Sequence, residues 1–430
     1  MRIVFCVTAP EWGGNEKWAL TTAAGLAGRG HDVAVLWSRG TVGKELARRG
    51  LKGRRAPFVS NWSPVGLASL AYHFLAFRPD AVVLTRRREY LVGGVAAGLA
   101  GRLDELAGRL TRLGSRLTGR SADLPVARRA PGRPLVVVRL GLRRRLRDDF
   151  STRTAFGTLA DLIIVNSLAI REGLEQSKWL DPDKVRVLLN GVETSAASVD
   201  AGRAALSDLG VAPEAPVVMA AGRLNRQKGF DVLIDAMAAV GREVPAARLV
   251  ILGGGRRRGS LEEHASRAGV GGVVFAGHRG DVRDMLAAAD VYALSSRNEG
   301  MANTLLEAMS VGAPIVATDV SGTREAVRDG IDALVVPPDD PDALAVAVLG
   351  VLRERELAAR LGASAIKRAR ELFGVGRMVT ELEFMIMEAL GGRRHSAVAS
   401  GSRGGPRPSL HSGGQRVADS RHEERNGEQK

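Results

Sequence analysis

Residues 299–307 read Glu-Gly-Met-Ala-Asn-Thr-Leu-Leu-Glu, and they join a short apolar run, 291–294, to an apolar pattern with helical spacing. Where a parallel strand ends and the next helix begins, the carboxyl end of the strand and the free N–H groups of the helix line a polar crevice. We call such a position a strand-to-helix crossing. Glu299 lies in the predicted loop and Glu307 in the first turns of the helix, so both can accept hydrogen bonds from one ligand such as a sugar. The alternative is that Glu307 is a favourable first-turn acid and Glu299 a solvated loop residue.

A second crossing of the same kind lies upstream. The apolar run 216–221 ends in the turn 222–229, Gly-Arg-Leu-Asn-Arg-Gln-Lys-Gly, which precedes another helical pattern. Arg223 offers a planar guanidinium and Lys228 a compact ammonium, a pair suited to neutralising a diphosphate as it leaves. Taken alone, a solvated basic turn explains these residues as well. The occurrence of both crossings in order favours a ligand site.

The stretch from about 217 to 338 resembles the nucleotide-sugar domain of retaining GT-B glycosyltransferases, in particular family 4. The motifs that carry this resemblance are Gly222-Arg223-Leu224…Lys228-Gly229, Leu252-Gly253-Gly254-Gly255, Phe275-Ala276-Gly277, Glu299…Glu307 and Gly312-Ala313-Pro314-Ile315-Val316-Ala317. The resemblance implies an enzyme that moves a sugar from a nucleotide-sugar donor to a hydroxyl of a sugar or lipid-linked acceptor. Cell-envelope polysaccharide, glycolipid or lipopolysaccharide-like synthesis is the expected setting. The alternative is a non-transferring GT-B scaffold that binds a nucleotide sugar or an anionic surface.

The resemblance also implies roles for individual residues. It assigns catalysis to Arg223, Lys228 and Glu299, with Glu299 near the donor sugar and Glu307 near the ribose. A glycine pair after the first strand would face the phosphates and sugar, and His278 would lie near the base. The expected donor-binding residues are Gly13, Gly14, Gly222, Gly253, Gly277, His278, Gly300, Met301, Ala302, Asn303, Thr304 and Glu307.

One position departs from the family pattern. Many family 4 enzymes have a histidine just past the strand written here as 135–138, near the reacting sugar, whereas this chain has Arg139. Retention by front-face attack needs no protein nucleophile, and the leaving phosphate can take the acceptor's proton. The expected chemistry therefore survives, and the identity of any acceptor-side base stays open.

The composition agrees with two α/β domains. The 430 residues, 45% of them hydrophobic, can fill two cores. Valine-rich runs alternate with helical patterns, which predicts parallel sheets covered on both faces, in two Rossmann-like domains that face a cleft. The predicted domains are an acceptor-side domain at 1–192, with an arginine-rich insertion at about 102–133, and a nucleotide-sugar domain at 193–375. A terminal helix is predicted at 376–390, and the resemblance implies that it crosses back to the first domain. A disordered tail is predicted at 391–430.

The net charge of +15 is concentrated in the first half of the chain. Leucines at helical spacing and arginines alternate in the insertion: Leu103, Leu106, Leu110, Leu113 and Leu117 with Arg102, Arg109, Arg112, Arg116, Arg120, Arg128, Arg129 and Arg133, followed by Arg143, Arg144, Arg145 and Arg147. A solvated helical insertion is one interpretation, and an interfacial helix that contacts an anionic membrane is the other. Few aromatic residues and no recognised binding motif argue against nucleic acid as a partner.

Metal and cofactor chemistry is not expected. Acidic residues at 181–183 and 339–342 precede helical or turn segments, where aspartate is a favoured cap. No two histidines have ligand spacing. The single cysteine, Cys6, lies inside the first predicted strand, which excludes a disulfide framework and favours a reducing compartment. Without a targeting or spanning segment, the expected location is the cytoplasm, including the inner face of the cytoplasmic membrane.

Overall fold

The computed structural model describes residues 1–8, 13–38, 40–57, 64–118, 132–141 and 146–401. Residues 1–390 form one compact unit, and within it the chain builds two parallel β-sheets. Successive strand residues point to opposite faces of a sheet, so Phe5 packs in one apolar core and Cys6 in another. The second sheet likewise has a core on each face. The predicted α/β fold of two Rossmann-like domains is confirmed.

In the described part of the chain, the first sheet has seven parallel strands in the order β3-β2-β1-β4-β5-β6-β7. Most of these strands are rich in valine, isoleucine and leucine, because both faces are covered. The strands are β1 (Arg2–Val7), β2 (Asp32–Trp37), β3 (Lys52–Arg55), β4 (Ala81–Leu84), β5 (Leu135–Leu140), β6 (Leu162–Val165) and β7 (Val185–Val187). The helices are α1 (Gly14–Gly28), α2 (Val42–Arg48), α3 (Pro64–Phe77), α4 (Arg87–Thr118), α5 (Phe150–Thr152), a π-helical segment at Arg153–Leu159, α6 (Leu168–Glu175) and a 3₁₀ turn at Pro182–Lys184.

The second sheet has six parallel strands among the described residues, in the order β10-β9-β8-β11-β12-β13. These strands are β8 (Val217–Ala221), β9 (Arg248–Leu252), β10 (Val273–Gly277), β11 (Val291–Leu294), β12 (Ile315–Thr318) and β13 (Leu334–Val336). The helices are α7 (Val199–Ser207), a 3₁₀ turn at Arg226–Lys228, α8 (Phe230–Glu243), α9 (Arg258–Arg267), α10 (Val282–Ala287), α11 (Asn303–Val311), α12 (Ser321–Ala326), α13 (Pro341–Arg353), α14 (Arg355–Leu372) and α15 (Val375–Gly401).

The strand order reverses direction once in each sheet, between β1 and β4 and between β8 and β11. The loops that leave two such strands go to opposite faces of the sheet, so a crevice opens at their carboxyl ends. Loops from both reversal points line one cleft of about 1490 Å³. The fold therefore brings the two predicted crossings, after β8 and after β11, to the same place.

Glu89, in the first turn of α4, joins the ends of β1 and β4. Its carboxylate accepts hydrogen bonds from the N–H and the hydroxyl of Thr8 at 2.8 and 2.6 Å, and from the N–H groups of Thr85 and Arg86 at 2.7 and 2.9 Å. Burial raises the pKa of Glu89, although these donors favour its ionised form. Cys6 nearby is a buried free thiol. Its pKa is raised mainly by burial and to a smaller extent by the negative charge of Glu89. One carboxylate thus fixes two strand ends beside the cleft.

The chain passes from one domain to the other near Val192 and again near Phe373, and these two connecting segments lie side by side. The N–H of Val192 donates to the Phe373 carbonyl at 2.7 Å, and the N–H of Val375 donates to the Val192 carbonyl at 3.2 Å. Helix α15 then places Met378 in the apolar core around Phe5. The last helix therefore covers the first sheet, although it follows the second sheet in sequence.

Two predicted segments have other limits in the structure. The insertion at about 102–133 begins as a continuation of α4, and its residues 119–131 lie outside the described residues, as do arginines 143–145. The tail predicted at 391–430 is helical at its beginning, since α15 continues to Gly401, and residues 402–430 lie outside the described residues. An existing helix extends at low cost through alanine and arginine, and even a glycine costs only about 1 kcal/mol. Across the described part of the chain, no helix combines the length and apolar character that crossing a bilayer requires.

Candidate active site

Loops from the carboxyl ends of strands in both sheets line the cleft. Most residues predicted from the sequence lie on its surface: Gly13, Gly14, Gly222, Arg223, Lys228, Gly253, His278, Glu299, Met301, Ala302, Asn303, Thr304 and Glu307. Of the remaining two, Gly277 is the last residue of β10, next to His278, and Gly300 follows Glu299. At Gly300 an added Cβ would lie 2.6 Å from the Gly141 carbonyl oxygen, so this loop packs directly on the first domain.

Lys228 and Glu299 form a buried ion pair where β8 and β11 end. Lys228 Nζ lies 2.5 Å from Glu299 Oε1, and the two side chains are 15% and 10% exposed. Ser296 Oγ donates to the same carboxylate oxygen at 3.0 Å. The sequence predicts a diphosphate contact for Lys228 and a sugar contact for Glu299, whereas their pairing with each other is visible only in the structure. An ammonium has three N–H donors, so Lys228 can hold Glu299 and an anionic ligand together.

Glu307 pairs with a residue that sequence analysis did not identify. Its Oε1 lies 2.6 Å from Nζ of Lys17, which belongs to α1 of the first domain. The Glu307 side chain is 6% exposed and that of Lys17 is 43% exposed. A lysine in the first turn of a helix is unfavourable, because the N-terminal end of a helix carries partial positive charge. This unusual placement could have identified Lys17 from the sequence. The pair connects the two domains across the cleft.

The glycine pair at the start of α1 contacts the second domain. A Cβ at Gly13 would lie 2.9 Å from Nη2 of Arg223, and a Cβ at Gly14 would lie 3.0 Å from Nδ2 of Asn303. Asn303 Nδ2 also donates to the Gly14 carbonyl at 3.1 Å. The absence of side chains therefore lets the first-domain loop meet both second-domain motifs.

Two glycines of the second domain occupy positions that disfavour other residues. Gly229 has φ 60°, and its Cβ would lie 2.0 Å from the Ser295 carbonyl oxygen. Gly253 has φ 122°, and its Cβ would lie 2.0 Å from the Gly222 carbonyl oxygen. L-residues rarely adopt such backbone angles, and neither contact leaves room for a methyl group. These turns set the positions of Arg223 and Lys228.

Arg139 is buried near the end of β5, at the position where many family 4 enzymes have a histidine. Its guanidinium donates to Oδ1 of Asn15 and, at 2.8 Å, to Oδ1 of Asn190. It also stacks 4.2 Å from the centre of the Trp18 ring. Burial lowers the pKa of Arg139 to about 10, so the group remains charged at neutral pH. Asn190 donates in turn to Oδ1 of Asn303 at 2.8 Å, which links Arg139 to the second domain.

Further polar groups on the first-domain wall were missed from the sequence. Arg86 donates to Glu16 Oε1 at 2.9 and 2.6 Å, through Nε and Nη2. Within the described structure, Glu16 Oε2 and Asn166 Oδ1 are buried without hydrogen-bond partners. Acceptors of this kind suit ligand hydroxyl groups. Asn166 and Asn190 both follow short apolar strands, and this location in the sequence could have identified them as residues of the cleft.

The cleft wall is predominantly cationic. Its basic residues are Lys17, Arg86, Arg87, Arg88, Arg139, Arg147, Arg223, Lys228, Arg256 and Arg279, and its carboxylates are Glu16, Glu299 and Glu307. Such a field attracts anionic ligands. Among the residues that the structure describes, no group of three or more His, Cys, Asp or Glu side chains could hold a metal ion. Of the acidic segments, Asp181 accepts from the Asp183 N–H and Asp340 from the Ala343 N–H, so both act as caps.

Two family models match the chain, one in each half. The model for Glycosyltransferase Family 4 matches residues 12–196, and the model for Glycosyl transferases group 1 matches residues 215–354. The chain belongs to glycosyltransferase family 4. The first match covers β2 to β7 and the second covers β8 to β13 of this family 4 chain.

Named relatives share about a third of the aligned residues. The family 4 chain is 34% identical over 215 residues to the lipopolysaccharide core biosynthesis glycosyltransferase LpsE of Rhizobium meliloti, covering 50% of this chain and 60% of that protein. It is 32% identical over 251 residues to the D-inositol 3-phosphate glycosyltransferase of Saccharomonospora viridis, covering 56% of this chain and 58% of the relative. The chain therefore spans less than two thirds of the length of these relatives.

Solved structures extend the likeness to both domains. The crystal structure of Anabaena HepE in complex with UDP and glucose matches with a TM-score of 0.74 at 21% identity, covering 90% of this chain and 100% of that chain. At this identity the match shows the fold. The family 4 chain has the predicted GT-B arrangement, in which two Rossmann-like domains face a cleft.

Breaking the Lys228–Glu299 pair from one side should destabilise the family 4 chain. Lys228→Ala leaves the Glu299 carboxylate buried without its cation, which should lower the free energy of unfolding by about 3 kcal/mol. Lys228→Ala combined with Glu299→Gln removes the unpaired charge and should recover part of this loss. Urea unfolding of the two single variants and the double variant measures the coupling.

Lys52→Ala provides the matched control, because Lys52 and Asp32 form an ion pair whose side chains are 76% and 41% exposed. This exposed pair should contribute no more than about 1 kcal/mol. If the effects of Lys228→Ala and Glu299→Gln simply add, the two side chains are not coupled and the buried pair is refuted.

Proposed function

We propose that this chain is a retaining glycosyltransferase that moves a sugar from a nucleotide-sugar donor to a hydroxyl group of a sugar or lipid-linked acceptor. One observation carries the proposal: Arg223, Lys228, Glu299 and Glu307 surround one crevice and lie opposite the Gly13-Gly14 pair. Two cations suit a diphosphate, and two carboxylates suit the hydroxyl groups of a sugar and a ribose.

The chemistry follows from these charges. Arg223 and Lys228 offset the negative charge that grows on the diphosphate as the bond between sugar C1 and the phosphate oxygen breaks. The bonding electron pair leaves with the nucleoside diphosphate. The acceptor hydroxyl attacks C1 from the same face, and its proton passes to an oxygen of the leaving phosphate. The configuration at C1 is retained without a protein nucleophile.

The two glutamates have different tasks in this proposal. Glu299 lies in the loop after β11 and favours positive charge on the reacting sugar ring. Glu307 lies inside α11 and accepts hydrogen bonds from the ribose hydroxyls, while Lys17 holds its carboxylate in place. Since Lys228 contacts Glu299, the group that binds the diphosphate also orients the carboxylate beside the sugar.

The similarity to a protein named for lipopolysaccharide core biosynthesis supports a role in cell-envelope polysaccharide, glycolipid or lipopolysaccharide-like synthesis. We propose that the reaction takes place in the cytoplasm. The basic cleft wall supports an anionic donor and fits a phosphate-linked acceptor equally well.

The activity is tested by incubating the protein with UDP-, GDP- and ADP-sugars and measuring nucleoside diphosphate release. At least one donor should be hydrolysed, and Arg223→Ala should reduce that rate by roughly 10²-fold, because one preorganised charge on the leaving group is lost. Arg226→Ala is the matched control, since Arg226 is an exposed arginine in the same turn. Equal rates in both variants would refute the assignment of Arg223.

We further propose that transfer needs no metal ion, because the cations Arg223 and Lys228 already neutralise the diphosphate. The same donor assay is therefore run with EDTA. Loss of activity in EDTA that Mg²⁺ or Mn²⁺ restores would contradict this part of the proposal and leave the transfer itself standing.

Substituting the two glutamates should change different kinetic parameters. Glu299→Gln should mainly lower turnover, because the charge beside the reacting sugar is lost. Glu307→Gln should mainly weaken nucleoside diphosphate binding, by about 1.5–3 kcal/mol for a charged hydrogen-bond acceptor. Titration calorimetry with the product nucleotide and initial-rate kinetics separate the two effects.

Lys17→Ala is the control for these variants, since it removes the partner of Glu307 and keeps the carboxylate. It should retain nucleotide binding better than Glu307→Gln does. If Glu307→Gln binds the nucleotide as tightly as the parent protein, the ribose assignment is wrong.

We also propose peripheral contact with an anionic membrane through α4. Leu103, Leu106 and Leu110 share one face of this helix and are 48%, 53% and 61% exposed. Arg102 and Arg109 are exposed beside them. Apolar side chains that insert between lipids, flanked by arginines that contact headgroups, are typical of interfacial helices.

Cosedimentation with vesicles tests this contact. The protein should bind vesicles that contain anionic phospholipid, and replacing all three leucines with glutamine should weaken binding at least tenfold, since each buried leucine contributes about 1.5–3 kcal/mol. Val346→Gln is the control, because Val346 is 72% exposed on α13. No binding, or equal binding by the triple variant, would contradict the proposal.

A further inference from the structure

Arg139 is a buried cation held by neutral partners. The residue is 2% exposed, and its guanidinium contacts two amide oxygens, those of Asn15 and Asn190, and the face of Trp18. No ion pair to Arg139 occurs among the described residues of the chain. A buried charge is normally paired with an opposite charge, because its desolvation is otherwise uncompensated.

One carboxylate influences Arg139 without forming an ion pair with it. Glu16 acts on Arg139 electrostatically, but its Oε1 accepts two hydrogen bonds from Arg86. A guanidinium has five N–H donors, and the two amide oxygens accept one each. The remaining donors have no acceptor in the described structure, although Arg139 lines the cleft. Arg139 is thus held in a fixed orientation with donors available to a ligand.

The position of Arg139 is tied to the loop between the two glutamates. Asn190, which accepts from Arg139, donates to the Met301 carbonyl at 3.2 Å and to Asn303 Oδ1 at 2.8 Å. A Cβ at Gly141 would lie 3.0 Å from Arg139 Nη1, and Gly141 itself contacts Gly300. The guanidinium therefore lies beside the loop that follows Glu299, where the proposed function puts the transferred sugar.

We propose that Arg139 binds a carboxylate on the transferred sugar, so that the donor is a nucleotide-activated uronic acid. The planar guanidinium matches a carboxylate, which can accept two parallel hydrogen bonds. The diphosphate is neutralised from the other domain by Arg223 and Lys228, so the charge of Arg139 is left for a second acidic group. A neutral hydroxymethyl group at that position leaves the buried charge uncompensated. This inference rests on the proposed glycosyl transfer.

Donor pairs that differ only in oxidation at C6 test the proposal directly. They are UDP-glucose and UDP-glucuronic acid, UDP-galactose and UDP-galacturonic acid, and GDP-mannose and GDP-mannuronic acid. The parent protein should use one acidic donor with a kcat/KM at least about 10²-fold above that of its neutral partner, since a site built for a polar group rejects the analogue that lacks it. Arg139→Gln should lose this preference mainly through the acidic donor.

Asn15→Asp separates ligand binding from a structural role, and it does not depend on Arg139→Gln folding. The substitution is isosteric and supplies a carboxylate to Arg139 from within the protein, in the first turn of α1, where an acid is favourable. The variant should keep or raise the melting temperature and lose the preference for the acidic donor at least tenfold. If Arg139 were only structural, the donor preference would stay unchanged.

The outcomes distinguish this inference from the function on which it rests. Hydrolysis of neutral and acidic donors at similar rates would overturn the uronic acid assignment and leave glycosyl transfer standing. Failure of every donor to bind or react would overturn both. A third arm compares a uronic-acid acceptor with its carboxyl-reduced form at a fixed neutral donor. An acidic preference found only there would overturn the donor assignment and give Arg139 to the acceptor.

Discussion

The whole site depends on the meeting of parallel-strand carboxyl ends at the two places where strand order reverses. Loops that leave β1 and β4, or β8 and β11, diverge to opposite faces of their sheet, and polar groups at those ends are left facing outward. Both reversal points open onto one cleft. Residues far apart in sequence, such as Gly13 and Arg223, become neighbours for this reason.

Polar contacts then join the two domains across the cleft. Lys17 of the first domain holds Glu307 of the second, and Asn190 bridges Arg139 to Asn303. These contacts are polar and few compared with the apolar cores on each side of the sheets. Small, polar interfaces between domains generally permit relative motion of the domains.

The buried charges of the cleft differ in how they are compensated. Lys228 and Glu299 compensate each other directly, whereas Arg139 is surrounded by amides and an aromatic ring. A mutually compensated pair is stable before any ligand binds. A cation whose direct contacts are all with neutral groups is stabilised less, and an added anion improves its environment most. The Lys228–Glu299 pair is therefore compensated without a ligand, whereas Arg139 is the cation that an anionic ligand would stabilise most.

The sequence by itself determined the two sheets and the strand-to-helix crossings, because apolar periodicity and glycine-flanked turns are local properties. Thirteen of the fifteen site residues that it predicted line the cleft. Arg223, Lys228 and Glu299 were identifiable because each lies in a turn after a short apolar strand, and Glu307 because it lies in the helix after such a turn. Only the tertiary structure decided which groups pair. The partners Lys17 and Glu307 come from different domains, and Arg139 is oriented by Asn190 from beyond β7. Local spacing carries no information on such contacts, since they depend on how the two sheets face each other.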